Sequence, residues 1–195
     1  MVVSAKEQEI TLAVIDACRR GDREAFRVLY EAFKDDVYSM ALHFFHGDAA
    51  TAADVTQQVF LKLMDRIGQF DGRSAFPTWL HRFVANACVD RTRSAWRRVP
   101  MADPSVLDSQ PLKASHEDDL VSAETSRAVK IALSDLTPKI RMALVLRYFQ
   151  DLSYAEMASV LNCSIGTVAS RLSRGHELLA QKLGALGIRS SKVES

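Results

Sequence analysis

Cysteine is scarce in this chain. Its three cysteines, Cys18, Cys88 and Cys163, are scattered, odd in number and in no CxxC spacing. That argues against a disulfide framework or zinc scaffold and points to a reducing compartment. No apolar run approaches the ~18 uncharged residues that a transmembrane helix needs. The start, MVVSAKEQEI, lacks a basic stretch followed by an apolar one, so no secretion signal is expected. Alternating β-branched and aromatic patterns are absent as well, which argues against a sheet. Catalytic signatures are equally thin. His43 and His46 stand three apart, but no HExxH pattern and no second ligand pair at zinc spacing accompany them. With Cys18 and Cys88 they make no recognisable metal site, and both histidines are expected on or beside a core face. GxSxG, P-loop and clustered-aspartate strings are missing too. Catalysis, bound metal and cofactor are therefore not expected; a cytoplasmic globular protein is.

The 195 residues are 48% hydrophobic and 25% charged, enough to bury a core and remain soluble. The net charge of +1 is distributed unevenly. Residues 1–100 carry 14 basic and 13 acidic side chains, residues 101–126 carry 1 and 6, and residues 127–195 carry 10 and 5. An acidic segment between a neutral and a basic one suggests two modules and a connector. Arginine outnumbers lysine 17 to 8, which suits phosphate and base-edge contacts but also accompanies GC-rich coding.

Helical periodicity is nearly continuous. A first helix is predicted from about Gln8 to Arg20, ended by Gly21. Asp22 caps a long second helix whose stripe is Phe26, Leu29, Tyr30, Phe33, Val37, Met40, Ala41 and Phe44. Gly47-Asp48 stops it and caps a third, through Val55, Val59, Leu63 and Ile67. After a loop from Gly68 to Ala75, a fourth helix is predicted from about Thr78 to Arg98, with Pro77 near its first turn. Residues 99–123 hold three of the five prolines and no sustained apolar period, and read as a flexible linker. Helices resume near Glu124 to Leu136. Thr137-Pro138 starts another, running to about Phe149. Ser153-Tyr-Ala-Glu156 is a capping box, and Ser164 can cap the last helix, to about Leu183. Residues 184–195 form a polar tail. The expected fold is all-α: two small helical domains, 1–98 and 124–183, joined by the linker.

The sharpest local signal lies at 153–183. Tyr154, Met157, Ala158 and Leu161 make one apolar face; the turn Asn162-Cys163-Ser164 follows, and Val168, Leu172 and Leu179 make the next. Two short helices joined in this way are a helix-turn-helix, which places its second helix in the DNA major groove. Asn162 stands where a left-handed backbone is often required. Thr167, Ser170, Arg171 and Arg174 point away from the core; arginine can bridge guanine O6 and N7, and the hydroxyls with Ser164 can reach phosphates.

On the fourth helix Arg82, Asn86, Asp90, Arg93 and Arg97 share a face opposite Leu80, Val84 and Ala87. Asparagine and arginine read base edges, yet a plain solvated face has the same composition, so both readings stand at this point. The preceding loop, Phe70-Asp71-Gly72-Arg73-Ser74, is framed by Phe70, Phe76 and Trp79. Such a loop can hold a base taken out of the stack.

These residues resemble a known family. Phe26-Arg-Val-Leu-Tyr-Glu-Ala-Phe, Asp54-Val-Thr-Gln-Gln-Val-Phe-Leu-Lys-Leu and Phe76-Pro-Thr-Trp-Leu-His-Arg-Phe-Val-Ala-Asn are similar to region 2 of bacterial ECF (extracytoplasmic-function) sigma factors. Leu152-Ser-Tyr-Ala-Glu-Met-Ala and Ser164-Ile-Gly-Thr-Val-Ala-Ser-Arg-Leu-Ser-Arg are similar to region 4.2. The resemblance implies that the fourth helix and loop 70–75, with Arg73, Arg82, Asn86, Asp90, Arg93 and Arg97, recognise and open the promoter −10 element. It implies that the last helix, with Ser164, Thr167, Ser170, Arg171 and Arg174, reads the −35 element. It also implies that Asp54, Gln57, Gln58 and Leu61 dock on the β′ clamp helices of RNA polymerase core. The partners implied are core, through β′ and β, promoter DNA and an anti-sigma factor, with no membrane insertion. Three positions depart from the family pattern: Met64 for a frequent tryptophan, expected within the core; Ala169 for a frequent lysine; and Gly175-His176 for Ala-Arg. A mid-helix glycine costs about 1 kcal/mol relative to alanine.

The linker length suits such a role. About 26 residue steps separate Arg98 from Glu124, reaching at most ~90 Å extended against ~25–30 Å relaxed. Two DNA turns span ~70 Å. Two other readings remain to be weighed: a stand-alone helix-turn-helix regulator, binding duplex as a dimer without polymerase, and a decoy that sequesters an anti-sigma factor. The basic face of the fourth helix argues against the first, and the intact arginines on both helices argue against the second.

Overall fold

The computed structural model describes residues 5–98, 133 and 135–185, with side chains from 12 to 94 and from 133 to 184. Among these residues there are seven α-helices and no strands. The linker, most of the helix expected at 124–136, the tail beyond residue 185 and the Arg97 side chain lie outside them.

Local chemistry sets most boundaries. Helix α1, Ala5–Arg19, ends at Gly21, whose φ of +84° lies where a side chain would be strained. Asp22 caps α2, Arg23–Phe44, accepting from the backbone N–H groups of Glu24 at 2.9 Å and Ala25 at 3.1 Å. Asp48 caps α3, Ala49–Arg66, accepting from Thr51 N at 3.0 Å and Thr51 Oγ1 at 2.7 Å. Those bonds hold its carboxyl below the ordinary value, the hydroxyl contributing most. A 3₁₀ turn, Ile67–Gln69, leads to a loop and then to α4, Phe76–Arg98. This helix starts earlier than the proline suggested, because Phe76 is drawn into the core.

The core of this half is Leu29, Val37, Met40 and Phe44 from α2, Val55, Val59 and Leu63 from α3, and Leu80, Val84 and Cys88 from α4. Arg19 ties α1 to the loop by donating to the Phe70 carbonyl. The second half comprises α5, Pro138–Tyr148, α6, Tyr154–Leu161, and α7, Ile165–Ala185. Thr137 and Pro138 begin α5 as expected, but the threonine side chain makes no capping bond.

The halves pack on one another: α5 lies across the end of α2, and α6 lies against α4. At the first seam the Arg141 guanidinium carbon is 5.2 Å from the centre of the Phe44 ring. Arg141 is only 7% exposed, and it donates to the carbonyls of Leu133 (3.2 Å) and Leu136 (3.1 Å). Burial lowers its pKa to about 10, still far above neutrality, so it stays charged. Beside it the His43 ring stacks on Phe149 at 3.8 Å.

Two packing expectations are corrected here. Met64 is 52% exposed rather than in the core, and Tyr154 is 42% exposed, its place under α6 taken by Val160. The stripe residue Tyr30 likewise lies at the edge, against Phe60 with ring centres 4.8 Å apart.

Candidate nucleic-acid interface

The helix-turn-helix is built by three local devices. Ser153 opens α6 with a complete capping box: its backbone N–H donates to Glu156 Oε2 at 2.8 Å, while Glu156 N donates to Ser153 Oγ at 3.3 Å. The bonds from Ser153, hydroxyl first and backbone second, hold the Glu156 carboxyl below its ordinary value. Asn162 ends α6 in the left-handed conformation, φ 47° and ψ 55°, and Cys163 N donates to the Ala158 carbonyl at 3.1 Å. Ser164 Oγ then accepts from Thr167 N at 3.1 Å and opens α7.

With Val168 and Leu172 buried, α7 turns Ser170 and Arg174 to solvent and leaves Thr167 and Arg171 half-exposed. Arg171 is braced by its Nη1, 3.7 Å from Cys163 Sγ. Ser164 and Thr167 share a bond between their hydroxyls at 2.9 Å, and Ser170 Oγ donates to the Thr167 carbonyl at 3.0 Å. These hydroxyls thus serve the helix start and keep lone pairs free for a further donor. A shallow groove bordered by Ile140, Ser170, Arg171, Arg174 and Glu177 runs alongside. Gly175 faces inward: a Cβ there would sit 3.1 Å from Ile140 Cγ2 and from Leu144 Cδ1. The glycine is a condition for the close crossing of α5 and α7, beyond its expected cost in helix propensity.

On α4, Arg82, Asn86, Asp90 and Arg93 are all exposed, while Leu80, Val84, Ala87 and Cys88 face the core. In the loop before it, Asp71 accepts from Arg73 N at 3.1 Å, pairs with Arg73 Nε at 3.2 Å, and Gly72 takes a φ of +74°. The loop therefore holds its shape while Arg73 projects outward. Phe70 and Phe76 are buried, packed edge-on with ring centres 5.4 Å apart, so they are the floor beneath the loop rather than open stacking surfaces. Trp79 alone of the three is part-exposed.

Asp54, Gln57, Gln58 and Leu61 share the exposed side of α3. Asp54 pairs with Arg91 of α4 at 3.3 Å. Gln57 and Leu61 border an open groove of about 330 Å³ whose other walls include Tyr30, Lys34, Tyr38, Phe60 and Met64. Sequence periodicity missed the tyrosines and Met64 as lining residues, because a helical stripe does not reveal where its cover ends. Among the described residues no group of histidine, cysteine or carboxylate side chains could hold a metal, and no helix is long and apolar enough to cross a membrane.

Family models place these features. Sigma-70 region 2 matches residues 29–98, and Sigma-70, region 4 matches residues 126–179. The RNA polymerase sigma-H factor of Pseudomonas aeruginosa is 32% identical over 187 residues, 92% of this chain and 96% of the relative. The ECF RNA polymerase sigma factor SigW of Bacillus subtilis is 31% identical over 180 residues, 87% and 94% of the two chains. The chain belongs to the ECF sigma factors.

Two solved structures share the fold of this sigma factor. CnrH, in complex with the cytosolic domain of CnrY, has a TM-score of 0.64 at 20% identity, covering 90% of this chain and 98% of its own. The sigma factor RpoE from Bartonella quintana, in complex with the anti-sigma factor NepR, has a TM-score of 0.59 at 22% identity, covering 82% and 96%. As an ECF sigma factor the chain is a transcription initiation factor that binds RNA polymerase and directs it to promoters. Its α4 lies within the region 2 match and its helix-turn-helix within the region 4 match, apart from the last residues of α7.

Proposed function

We propose that this sigma factor positions RNA polymerase core through two separate DNA contacts and performs no covalent chemistry itself. Loop 70–75 with Arg73, and the α4 residues Arg82, Asn86, Asp90, Arg93 and Arg97, engage and open the −10 element. The α7 face of Ser164, Thr167, Ser170, Arg171 and Arg174 reads the −35 element. The α3 face of Asp54, Gln57, Gln58 and Leu61, with the apolar groove beside it, docks on the β′ clamp helices, and the second half also meets β. The functional units are 1–98 and 124–183, with 99–123 as the connector and 184–195 as a tail. The chain acts in the cytoplasm and has an anti-sigma partner, as RpoE has in NepR.

The observation that carries this reading is the pair of outward arcs on α4 and α7. Each is rich in arginine, each lies opposite a buried stripe, and one belongs to each matched region. Transcription in vitro with purified core on a promoter library is the test. Transcripts sharing two upstream elements are expected only with the chain added. Arg171→Ala should weaken dependence on one −35 base pair by roughly 1–3 kcal/mol; an equal loss on every duplex would make Arg171 a phosphate contact instead. Asn86→Ala should impair opening of the −10 region more than duplex binding, and unchanged opening would remove it from that role.

A further inference from the structure

Sulfur is unevenly exposed along this chain. Among the described residues Met40, Met142 and Met157 are fully buried, whereas Met64 is 52% exposed. Cys18 and Cys88 are buried and Cys163 is part-exposed, so of these sulfurs solvent reaches one thioether and one thiol. Met64 is no isolated surface residue. It stands on the wall of the groove between α2 and α3 with Tyr30, Tyr38, Phe60 and Leu61, and Leu61 is itself 55% exposed. Its thioether is therefore open to solvent in the free chain and belongs to the apolar surface that core would cover.

We propose that Met64 is an oxidation site at which hydrogen peroxide switches core docking off. A sulfur lone pair attacks the peroxide: an S–O bond forms, the O–O bond breaks, the sulfur loses two electrons, and the second oxygen leaves with both protons as water. The product is methionine sulfoxide, polar where the thioether was apolar. Docking then buries an S=O dipole against aromatic and leucine side chains, while Lys34 on the same wall is already paired with Glu31. A buried dipole without a partner weakens association. Once docked, Met64 is shielded, so the oxidant acts on the free chain and spares chains already on core. Methionine sulfoxide reductases reverse the step. This rests on the reading of the α3 face as the surface that meets core.

The test uses the full chain with Cys163→Ser in every arm, so that the accessible thiol takes no part. After hydrogen peroxide, peptide mass spectrometry should find an added oxygen on Met64 well before Met40, Met142 or Met157. The oxidised chain should bind purified core about ten-fold or more weakly than its untreated form, and methionine sulfoxide reductases should restore the affinity. Met64→Leu, whatever its own affinity, should bind core equally before and after peroxide; Met1 and Met101 are common to both chains and cancel in that comparison. Oxidised and untreated chains that bind alike would overturn the proposal. So would a Met64→Leu chain that loses as much on treatment, or a Met64 that reacts no faster than the buried methionines. Oxidation in the presence of core separates this from the reading beneath it. Bound core should slow oxidation of Met64 at least about ten-fold, since a docked side chain is shielded from solvent. If core gave no such protection, the α3 face would not be the docking surface and that reading would fall first. Protection without any loss of affinity on oxidation would sink the oxidation switch alone.

Discussion

Replacing Gly175 by alanine sets two known effects against each other at one buried site. In an open helix the change would add stability, because glycine is about 1 kcal/mol worse than alanine in a helix interior. Here the new methyl would arrive 3.1 Å from Ile140 Cγ2, 3.1 Å from Leu144 Cδ1 and 3.3 Å from Leu144 Cδ2. Carbon atoms pack best at roughly 3.5–4.0 Å, so the Ile140 and Leu144 side chains, or the helix that carries them, must give by a few tenths of an ångström. Ile140 and Leu144 are both buried and have little room to yield. Overpacking of this kind costs ~1–3 kcal/mol, which outweighs the propensity gain. The expected result is a net loss of about 1 kcal/mol, seen by circular dichroism as a fall in Tm of roughly 4–8 °C if the second half melts as a small unit. Because Arg171 and Arg174 ride on the same helix, −35 discrimination should weaken alongside. A variant more stable than wild type by about 1 kcal/mol would refute the reasoning, since it would mean that the helices separate freely at this crossing.

Other outcomes follow from the same geometry. Asn162→Val forces a β-branched side chain into φ 47°, ψ 55° and should cost ~1–2 kcal/mol, whereas Asn162→Gly should be tolerated; urea denaturation separates the two. Ser153→Ala removes the hydroxyl that caps α6 and should lose about 0.5–2 kcal/mol at neutral pH. Because Ser153 lowers the folded-state pKa of Glu156, that part of the stability is complete above the unfolded carboxylate value of about 4.3 and is lost as pH falls from there through the lower folded-state value. The alanine variant should therefore show a shallower acid loss between about pH 5 and 3. Among the thiols, burial pushes Cys88 up to about 12 and also raises Cys18, with help from Asp22, whereas Cys163 is part-exposed. Ellman's reagent should titrate Cys163 in the native protein and all three cysteines only in denaturant; rapid native labelling of Cys88 would show that α4 opens.

The all-α class, the caps at Asp22, Asp48, Ser153 and Ser164, and the left-handed Asn162 were all legible in the sequence. So were the residues on the outward arcs of α4 and α7. These are short-range properties: a cap involves residues two or three apart, and an amphipathic arc repeats every three or four, so the chain encodes them without reference to anything distant. Tertiary structure alone decided how far each apolar stripe is covered. Met64 and Tyr154 fit a buried period yet lie in solvent, and Val160 is buried instead, because neighbouring helices arrive from a direction that the period does not specify. Gly175 reads as a weakness in a helix and becomes the point where α5 and α7 meet most closely. The seam of Phe44 with Arg141 and His43 with Phe149 joins residues about a hundred positions apart. No local pattern marks such pairs, since their proximity arises only when two finished helical units are packed together.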